Sequence, residues 1–146
     1  MRILGIDFGD RNVGLALSDS LQFTAQPLGT YQLKNRESDD KKYFQDLVSK
    51  QQVGEIVIGF PLRMDGTAGT RVEKTRAFAK WLEETIHLPV IFWDERLTTH
   101  QALKVMHEQK VRLKAKKSVI NQISAAIILQ SYLDSKRTDA NISENR

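Results

Sequence analysis

The stretch Ile3-Leu-Gly-Ile-Asp-Phe-Gly-Asp-Arg-Asn-Val-Gly-Leu-Ala-Leu-Ser18 decides how the rest of this chain folds. Its apolar residues are typical of two short β-strands, and the turn between them contains glycine and asparagine, which tolerate positive φ. The first strand carries one acid, Asp7, near its end. Because an unpaired charge among strand residues is costly to bury, Asp7 needs a salt bridge, a hydrogen bond or a metal ion.

Apolar patterns after this hairpin predict three more strands and four helices. The strands are expected at about 25–33, 55–60 and 89–93, and the helices at about 37–52, 70–86, 99–109 and 118–133. Pro27 indicates that the third strand lies at an edge of the sheet. Trp81, Phe92 and Trp93 occupy apolar positions and are assigned to the core.

Small residues on one face of the hairpin leave room for a closely packed helix or a ligand, and Ala125 and Ala126 would let the last helix lie there.

The order of these elements limits the topology. Three sequential strands form an antiparallel meander, and right-handed crossovers then place strands 4 and 5 parallel to strand 1. The sequence therefore predicts an α/β fold with a mixed five-stranded sheet in the order 3-2-1-4-5, flanked by helices. One domain is expected over residues 1–134, and the polar residues 135–146 are expected to form a disordered tail.

Composition excludes several classes of protein. The 146 residues contain no cysteine, so disulfides and thiolate zinc sites are impossible. No segment approaches the roughly 18 consecutive apolar residues that a membrane span needs. The three histidines lack metal-ligand spacing. A cytoplasmic protein is the expectation.

The predicted sheet order brings acids together. The carboxyl ends of strands 1, 4 and 5 meet at one edge, so Asp7 shares that edge with Asp94 and Glu95. Glu95 is the better candidate ligand, because its longer side chain can cross the gap left by strand 4, whereas Asp94 can hydrogen-bond locally. Clustered carboxylate oxygens suit Mg²⁺ or Mn²⁺, which activate water and stabilise the leaving oxygen of a phosphodiester. These acids indicate a candidate nuclease centre.

Positive charge is concentrated near the last helix. The net charge is +4, and residues 110–117 contain five cations and no acid. This segment is either a solvated loop or an arm that holds phosphates, and its closeness to the acidic edge favours the arm. Arg96 either neutralises the acids or holds a phosphate. The predicted substrate-binding residues are Arg11, Arg63, Arg96, Lys110, Arg112, Lys114, Lys116 and Lys117.

Four motifs follow one another along the chain. They are Gly5-Ile-Asp-Phe-Gly9 with Val13-Gly-Leu-Ala16, Ile58-Gly-Phe-Pro-Leu62 with Met64-Asp-Gly-Thr67, Asp94-Glu-Arg-Leu-Thr98, and Ala125-Ala-Ile-Ile-Leu129 with Ser131-Tyr132. Over about residues 2–133 these motifs closely resemble the YqgF/RuvX family. The resemblance implies an RNase H-like fold, in a family described as pre-16S rRNA nucleases and as Holliday junction resolvases.

The resemblance implies a nuclease in ribosomal RNA maturation. It matches Asp7 to the family's first acid and Asp94–Glu95 to its second acidic motif. The third acid of the family falls at Asn121, whose carbonyl oxygen can still bind magnesium but carries no charge. The expected catalytic residues are therefore Asp7, Asp94, Glu95 and Asn121, and the expected metal ligands are Asp7, Glu95 and Asn121.

Three functions fit this sequence. The first is a metal-dependent nuclease that acts on structured RNA, with the 5′ end of pre-16S rRNA as its substrate and ribosomal particles as partners. The second is a resolvase of four-way DNA junctions, which would require a homodimer to cut two strands symmetrically. The third is a catalytically weak nucleic-acid-binding protein, because Asn121 replaces an acid. The chain is expected to be a monomer or a homodimer.

Overall fold

The structure, a computed structural model, describes residues 1–61, 69–98, 100–112 and 117–144. Over these residues the predicted order of strands and helices is confirmed. The strands are β1 (Arg2–Phe8), β2 (Asn12–Ser18), β3 (Ala25–Gln32), β4 (Val53–Phe60) and β5 (Val90–Asp94). The helices are α1 (Glu37–Lys50), α2 (Thr70–Ile86), α3 (His100–Arg112) and α4 (Lys117–Glu144), and a 3₁₀ turn covers Glu95–Leu97.

The five strands form one mixed sheet in the order β3-β2-β1-β4-β5, which confirms the predicted order. β1 and β2 pair antiparallel, as do β2 and β3, whereas β4 is parallel to β1 and β5 is parallel to β4. Asp7 lies opposite Gly14, and Phe60 lies opposite Asp94. The acids of β1 and β5 therefore emerge at the same edge of the sheet. Pro27 lies in an edge strand, as expected.

Helices α1 and α2 cover one face of the sheet. Phe44 of α1 is fully buried there, and Phe78 of α2 stacks on Phe8 with ring centroids 4.5 Å apart. The start of α1 is tied to β3 by the buried carboxylate of Asp40, which accepts hydrogen bonds from the Tyr31 hydroxyl (2.6 Å) and the Lys34 backbone N–H (3.0 Å). These contacts hold both helices close to the strand end that carries Asp7.

Helix α4 packs against the other face, on the small residues of the hairpin. A Cβ atom added at Gly5 would lie 2.7 Å from the Leu129 Cβ, and one added at Gly14 would lie 2.0 Å from the Asn121 backbone oxygen. Real Cβ atoms do not approach other atoms so closely, so both positions require glycine. Helix α4 therefore packs closely on the small face. This packing places Asn121 against Gly14 of β2, the residue that pairs with Asp7 of β1.

Helix α4 is longer than the sequence predicts. It continues past the predicted end near Leu133 as far as Glu144, so residues 135–144 are helical where a disordered tail was expected. Two ion pairs connect the first turn of this extension to earlier residues. Lys136 lies 3.9 Å from the Glu55 carboxylate, and Arg137 pairs with Asp134 one turn before it. The polar composition that suggested disorder thus includes charges that stabilise the helix.

The assignment of Phe92 to the core was wrong. β5 is an edge strand, and Phe92 is 41% exposed, with its ring 4.8 Å from that of Phe60. Trp81 and Trp93 are partly buried against the two core clusters. Within the described ranges, no helix is both long and apolar enough to cross a membrane.

Candidate metal centre and nucleic-acid interface

Asp7 lies near the end of β1 with most of its carboxyl group buried. Its side chain is 15% exposed, and Arg71 of α2 is the cation beside it, with 4.0 Å between Nη2 and Oδ1. The same guanidinium lies 3.4 Å from the Phe8 carbonyl oxygen. Arg71 itself is 63% exposed, so water screens this ion pair strongly. The partner that Asp7 required is therefore a weakly held arginine.

Glu95 comes directly after β5 and reaches back over β4. A Cβ atom added at Gly59 would lie 3.2 Å from both Cγ and Cδ of Glu95. The carboxyl group of Glu95 therefore lies over a position where the neighbouring strand has no side chain. This arrangement matches the expectation that Glu95 crosses the gap left by strand 4.

The carboxyl groups of Asp7 and Glu95 interact electrostatically. Burial raises the pKa of Asp7, and Arg71 offsets part of that rise. Burial also raises the pKa of Glu95, the negative charge of Asp7 raises it further, and Arg71 lowers it. Each carboxylate is thus held in an environment that disfavours its charge. A cation between them would relieve this cost.

Asp94 has a different environment from its neighbour. Its carboxylate accepts hydrogen bonds from the Arg96 backbone N–H (2.9 Å), from Arg96 Nε (3.0 Å) and from Arg96 Nη2 (2.7 Å). These hydrogen bonds lower the pKa of Asp94. The structure thus shows Asp94 capping the 3₁₀ turn and Arg96 neutralising Asp94. Of the two roles considered for Arg96, this geometry favours neutralisation.

Asn121 lies in the first turns of α4 and reaches the cavity beside Asp7. This cavity has a volume of about 370 Å³. Arg11 and Arg71 also contribute to its wall. Two of the predicted metal ligands, Asp7 and Asn121, therefore border one space, together with two arginines. Of the predicted substrate-binding residues, Arg11 lines this cavity, whereas Arg96 pairs with Asp94.

The donor chemistry of this site fits one hard divalent cation. Asp7 and Glu95 supply carboxylate oxygens and Asn121 supplies an amide oxygen, the types of donor that Mg²⁺ and Mn²⁺ prefer. In the part of the chain that the structure describes, no three side chains of the histidine, cysteine, aspartate and glutamate types lie together as a metal cluster. Asn121, which lines the cavity beside Asp7, is the candidate third ligand through its neutral amide oxygen.

Two cations at the start of α2 were missed by the sequence analysis. Arg71 faces Asp7, and Lys74, one turn later, lies 3.2 Å from Asp10 Oδ1. Asp10 lies in the turn between β1 and β2, so this ion pair joins that turn to α2. A signal was present, because the helix that follows a parallel strand begins at the strand's carboxyl edge. Both cations lie within the first five residues of such a helix.

The basic segment is only partly described. Arg112 donates a hydrogen bond to Gln109 Oε1 (2.7 Å), and Gln109 in turn reaches Gln26 Oε1 of β3 (3.4 Å). This chain of contacts ties the end of α3 to the edge strand opposite β5, away from Glu95. Lys110 is exposed. Arg63, Lys114 and Lys116 lie outside the described residues, as does the side chain of Lys117.

Similarity to known proteins indicates the family of this chain. The family model of RuvX, described as Holliday junction resolvase, matches residues 1–135. A protein of Halothermothrix orenii is 45% identical over 134 residues, covering 92% of this chain and 95% of that protein. One of Bacillus subtilis is 43% identical over 136 residues, covering 92% and 99%. Both carry the name "Putative pre-16S rRNA nuclease".

Solved structures show the same fold at low sequence identity. The RuvC structure of Thermus thermophilus is similar with a TM-score of 0.60 at 14% identity, covering 94% of this chain and 97% of that one. The resolvase of fowlpox virus, in complex with Holliday junction DNA, is similar with a TM-score of 0.58 at 12% identity, covering 92% and 98%.

The fold is therefore RNase H-like, as predicted, and the domain is of the resolvase type of nuclease. The family match covers nearly the whole described chain. The chain belongs to the RuvX family.

Proposed function

We propose that this protein is a divalent-metal-dependent nuclease that cuts structured RNA, and that its substrate is the 5′ end of pre-16S rRNA. The observation that carries the proposal is the Asp7–Glu95 pair, two mostly buried carboxyl groups with raised pKa values at one edge of the sheet. The names of the curated relatives support the choice of RNA precursor.

In this proposal the residues of the site divide into two groups. Asp7, Glu95 and Asn121 hold Mg²⁺ or Mn²⁺, and a bound ion of this kind supplies an activated water and stabilises the leaving oxygen. Arg11 and Arg71 border the same space and hold the phosphate by charge-assisted hydrogen bonds. Asp94 fixes the 3₁₀ turn that presents Glu95.

The cations of residues 110–117 hold the phosphates of the RNA backbone. Phosphate contacts position a nucleic acid without reading its sequence, so the choice of cleavage site falls to RNA shape and to ribosomal particles. Such a role places the protein in the cytoplasm, where ribosomes assemble. A monomer is sufficient for cutting one RNA strand.

The test is a cleavage assay on three substrates: precursor rRNA, a four-way DNA junction and a plain duplex, each with Mg²⁺, Mn²⁺ or EDTA. We expect the precursor to be cut with metal ions, and Asp7→Ala to abolish cutting. Asp46→Ala removes an exposed acid of α1 and is the matched control. Equal cleavage by the wild type and Asp7→Ala would end the nuclease proposal and leave a nucleic-acid-binding role.

The family description favours one alternative, a Holliday junction resolvase. Symmetric cutting of two strands needs two active sites, so this function requires a dimer on the junction. Its test is the molar mass of the protein–junction complex, measured by light scattering with EDTA present. Two copies per junction, together with preferential junction cleavage, would replace the RNA proposal.

A further inference from the structure

A second, larger groove opens beside the acidic edge, between the end of β1 and helices α1 and α2. Its volume is about 700 Å³, enough for a nucleotide. Aromatic and small side chains line it together with charged ones, which are Lys74 and the acids Asp10, Glu37 and Asp40. The residues that matter for its chemistry are Phe8, Ala77, Phe78, Trp81, Lys74 and Glu37.

The groove neighbours the space beside Asp7, and lining residues link the two through a smaller cavity. A smaller cavity, bordered by Arg71, shares Phe8, Asp10 and Lys74 with the groove. That smaller cavity shares Gly9, Asp10 and Arg71 with the space beside Asp7. Arg71 and Lys74 therefore lie between the Asp7 side of the site and the aromatic side chains of the groove.

The aromatic side chains of the groove are in contact with one another. Phe8 stacks on Phe78 with centroids 4.5 Å apart, and the Trp81 ring lies 5.8 Å from that of Phe78. Phe8 and Trp81 are only partly buried, and Ala77 is exposed, so apolar surface faces the groove. Stacking on aromatic rings next to cations that hold phosphate is how proteins bind unpaired bases.

We infer that this groove receives one unpaired nucleobase of the substrate, adjacent to the phosphate that lies at the acidic edge. The inference rests on the proposed function for the position of that phosphate. Lys74 and Arg71 exchange their contacts with Asp10 and Asp7 for the linking phosphate. The aromatic side chains contact the base, and Glu37, which also lines the groove, can accept a hydrogen bond from a base amino group. A fully paired duplex cannot place a base there. The site therefore selects substrates with unpaired nucleotides beside the cut.

The test uses the fluorescence of Trp81, which lines the groove. Of the two tryptophans, Trp93 lies on the opposite face, edge-on to Tyr132. Its buried Nε1 has no hydrogen-bond partner among the described residues, so Trp93→Phe sacrifices no observed hydrogen bond. The Trp93→Phe protein is titrated in EDTA with a single-stranded RNA dodecamer, with a DNA dodecamer, and with an abasic oligonucleotide of the same length.

We expect the RNA to quench Trp81 and the abasic oligonucleotide to bind about tenfold more weakly, the loss of one stacked base. Quenching by the DNA as well would show that the base alone is recognised, and quenching by RNA only would show that the ribose contributes. Ala77→Leu fills the groove from an exposed position and is expected to weaken RNA binding by about the same factor. Gln45→Leu adds the same side chain at an exposed position of α1 outside the groove and is the matched control.

Equal quenching by the abasic oligonucleotide, or unchanged RNA affinity of Ala77→Leu, would overturn the inference. Because the readout is binding in EDTA, it does not depend on cleavage. A negative cleavage assay would contradict the nuclease proposal without affecting the evidence for base binding. A negative binding titration would contradict the base-binding inference without affecting the cleavage result.

Discussion

The carboxyl end of Glu95 lies against the backbone of Gly59: a Cβ atom on Gly59 would be 3.2 Å from both Cγ and Cδ of Glu95. The same added atom would be 2.5 Å from the Ile128 Cδ1 of α4. Gly59 of β4 therefore leaves room both for Glu95, which comes from the 3₁₀ turn after β5, and for a core side chain from α4. The location of the Glu95 carboxylate depends on the absence of a side chain from the strand between the two acids.

Gly59→Ala is expected to displace both neighbours. Moving the Ile128 methyl group should lower the free energy of unfolding by about 1–3 kcal/mol, and moving Glu95 should weaken Mn²⁺ binding at least about fivefold. Urea denaturation and calorimetric titration measure the two effects. Gly29→Ala is the control, because an added Cβ there meets nothing within 4 Å. Unchanged Mn²⁺ affinity in Gly59→Ala would show that Gly59 does not determine the location of the ligand.

The raised pKa values of Asp7 and Glu95 predict a pH-dependent cost in stability. Their ordinary values are 3.8 and 4.5, and both are higher in the folded protein, which therefore binds these protons more tightly than the unfolded chain. The stabilising contribution of the protonated groups is complete below the ordinary values and is lost as pH rises through the raised ones. At neutral pH the ionised pair destabilises the metal-free fold.

Asp7→Asn cannot ionise and should remove part of this cost. In EDTA at pH 7 we expect its Tm to exceed that of the wild type by about 2–4 °C, which corresponds to roughly 1 kcal/mol for a chain of this size. The difference should shrink as pH falls towards 4, and Mg²⁺ should stabilise the wild type more than the variant. Scanning calorimetry between pH 4 and 8 measures both. A Tm difference that stays constant across this range would contradict the assignment.

Substitutions of the adjacent residues Glu95 and Asp94 should have different effects on metal binding. Glu95→Gln removes a carboxylate that faces Asp7, so Mn²⁺ binding should weaken by about tenfold or more. Asp94→Asn keeps an oxygen for the Arg96 backbone N–H and removes only the charge that faces the Arg96 guanidinium, so metal affinity should change by less than about threefold. Calorimetric titration of both variants tests this order. Equal losses would mean that both acids bind the metal ion.

The sheet and the two acids were predictable because their signals are local. A continuous apolar run identified β4, the hairpin fixed β1 beside β2, and crossover handedness then placed Asp7 and Glu95 on one edge. The small residues of β1 and β2 predicted room for a closely packed helix or a ligand, and α4 packs there. None of these steps required the positions of individual side-chain atoms.

The roles and partners that the sequence did not reveal depend on the three-dimensional fold. Arg71 is one of many arginines in the sequence, and only the direction of α2 aims it at Asp7. Arg112 belongs to a cationic run, but its hydrogen bond to Gln109 turns it towards β3. The extension of α4 rests in part on Lys136 and Glu55, which lie far apart in sequence. A charge pattern in the sequence shows where such side chains occur, but only the folded structure shows which residues they contact.

Asn121→Asp would restore a third acid to the cavity beside Asp7. We expect Mn²⁺ binding to tighten by about tenfold, because a charged ligand replaces a neutral one, and the Tm in EDTA to fall, because a like charge is added near Asp7. Calorimetric titration and thermal unfolding measure these changes. Asn12→Asp is the control, since Asn12 lines the same cavity and gains the same charge. If Mn²⁺ binding tightens equally in both variants, the added negative charge acts through the electrostatic field alone. If Mn²⁺ binding does not tighten in Asn121→Asp, position 121 is not a ligand.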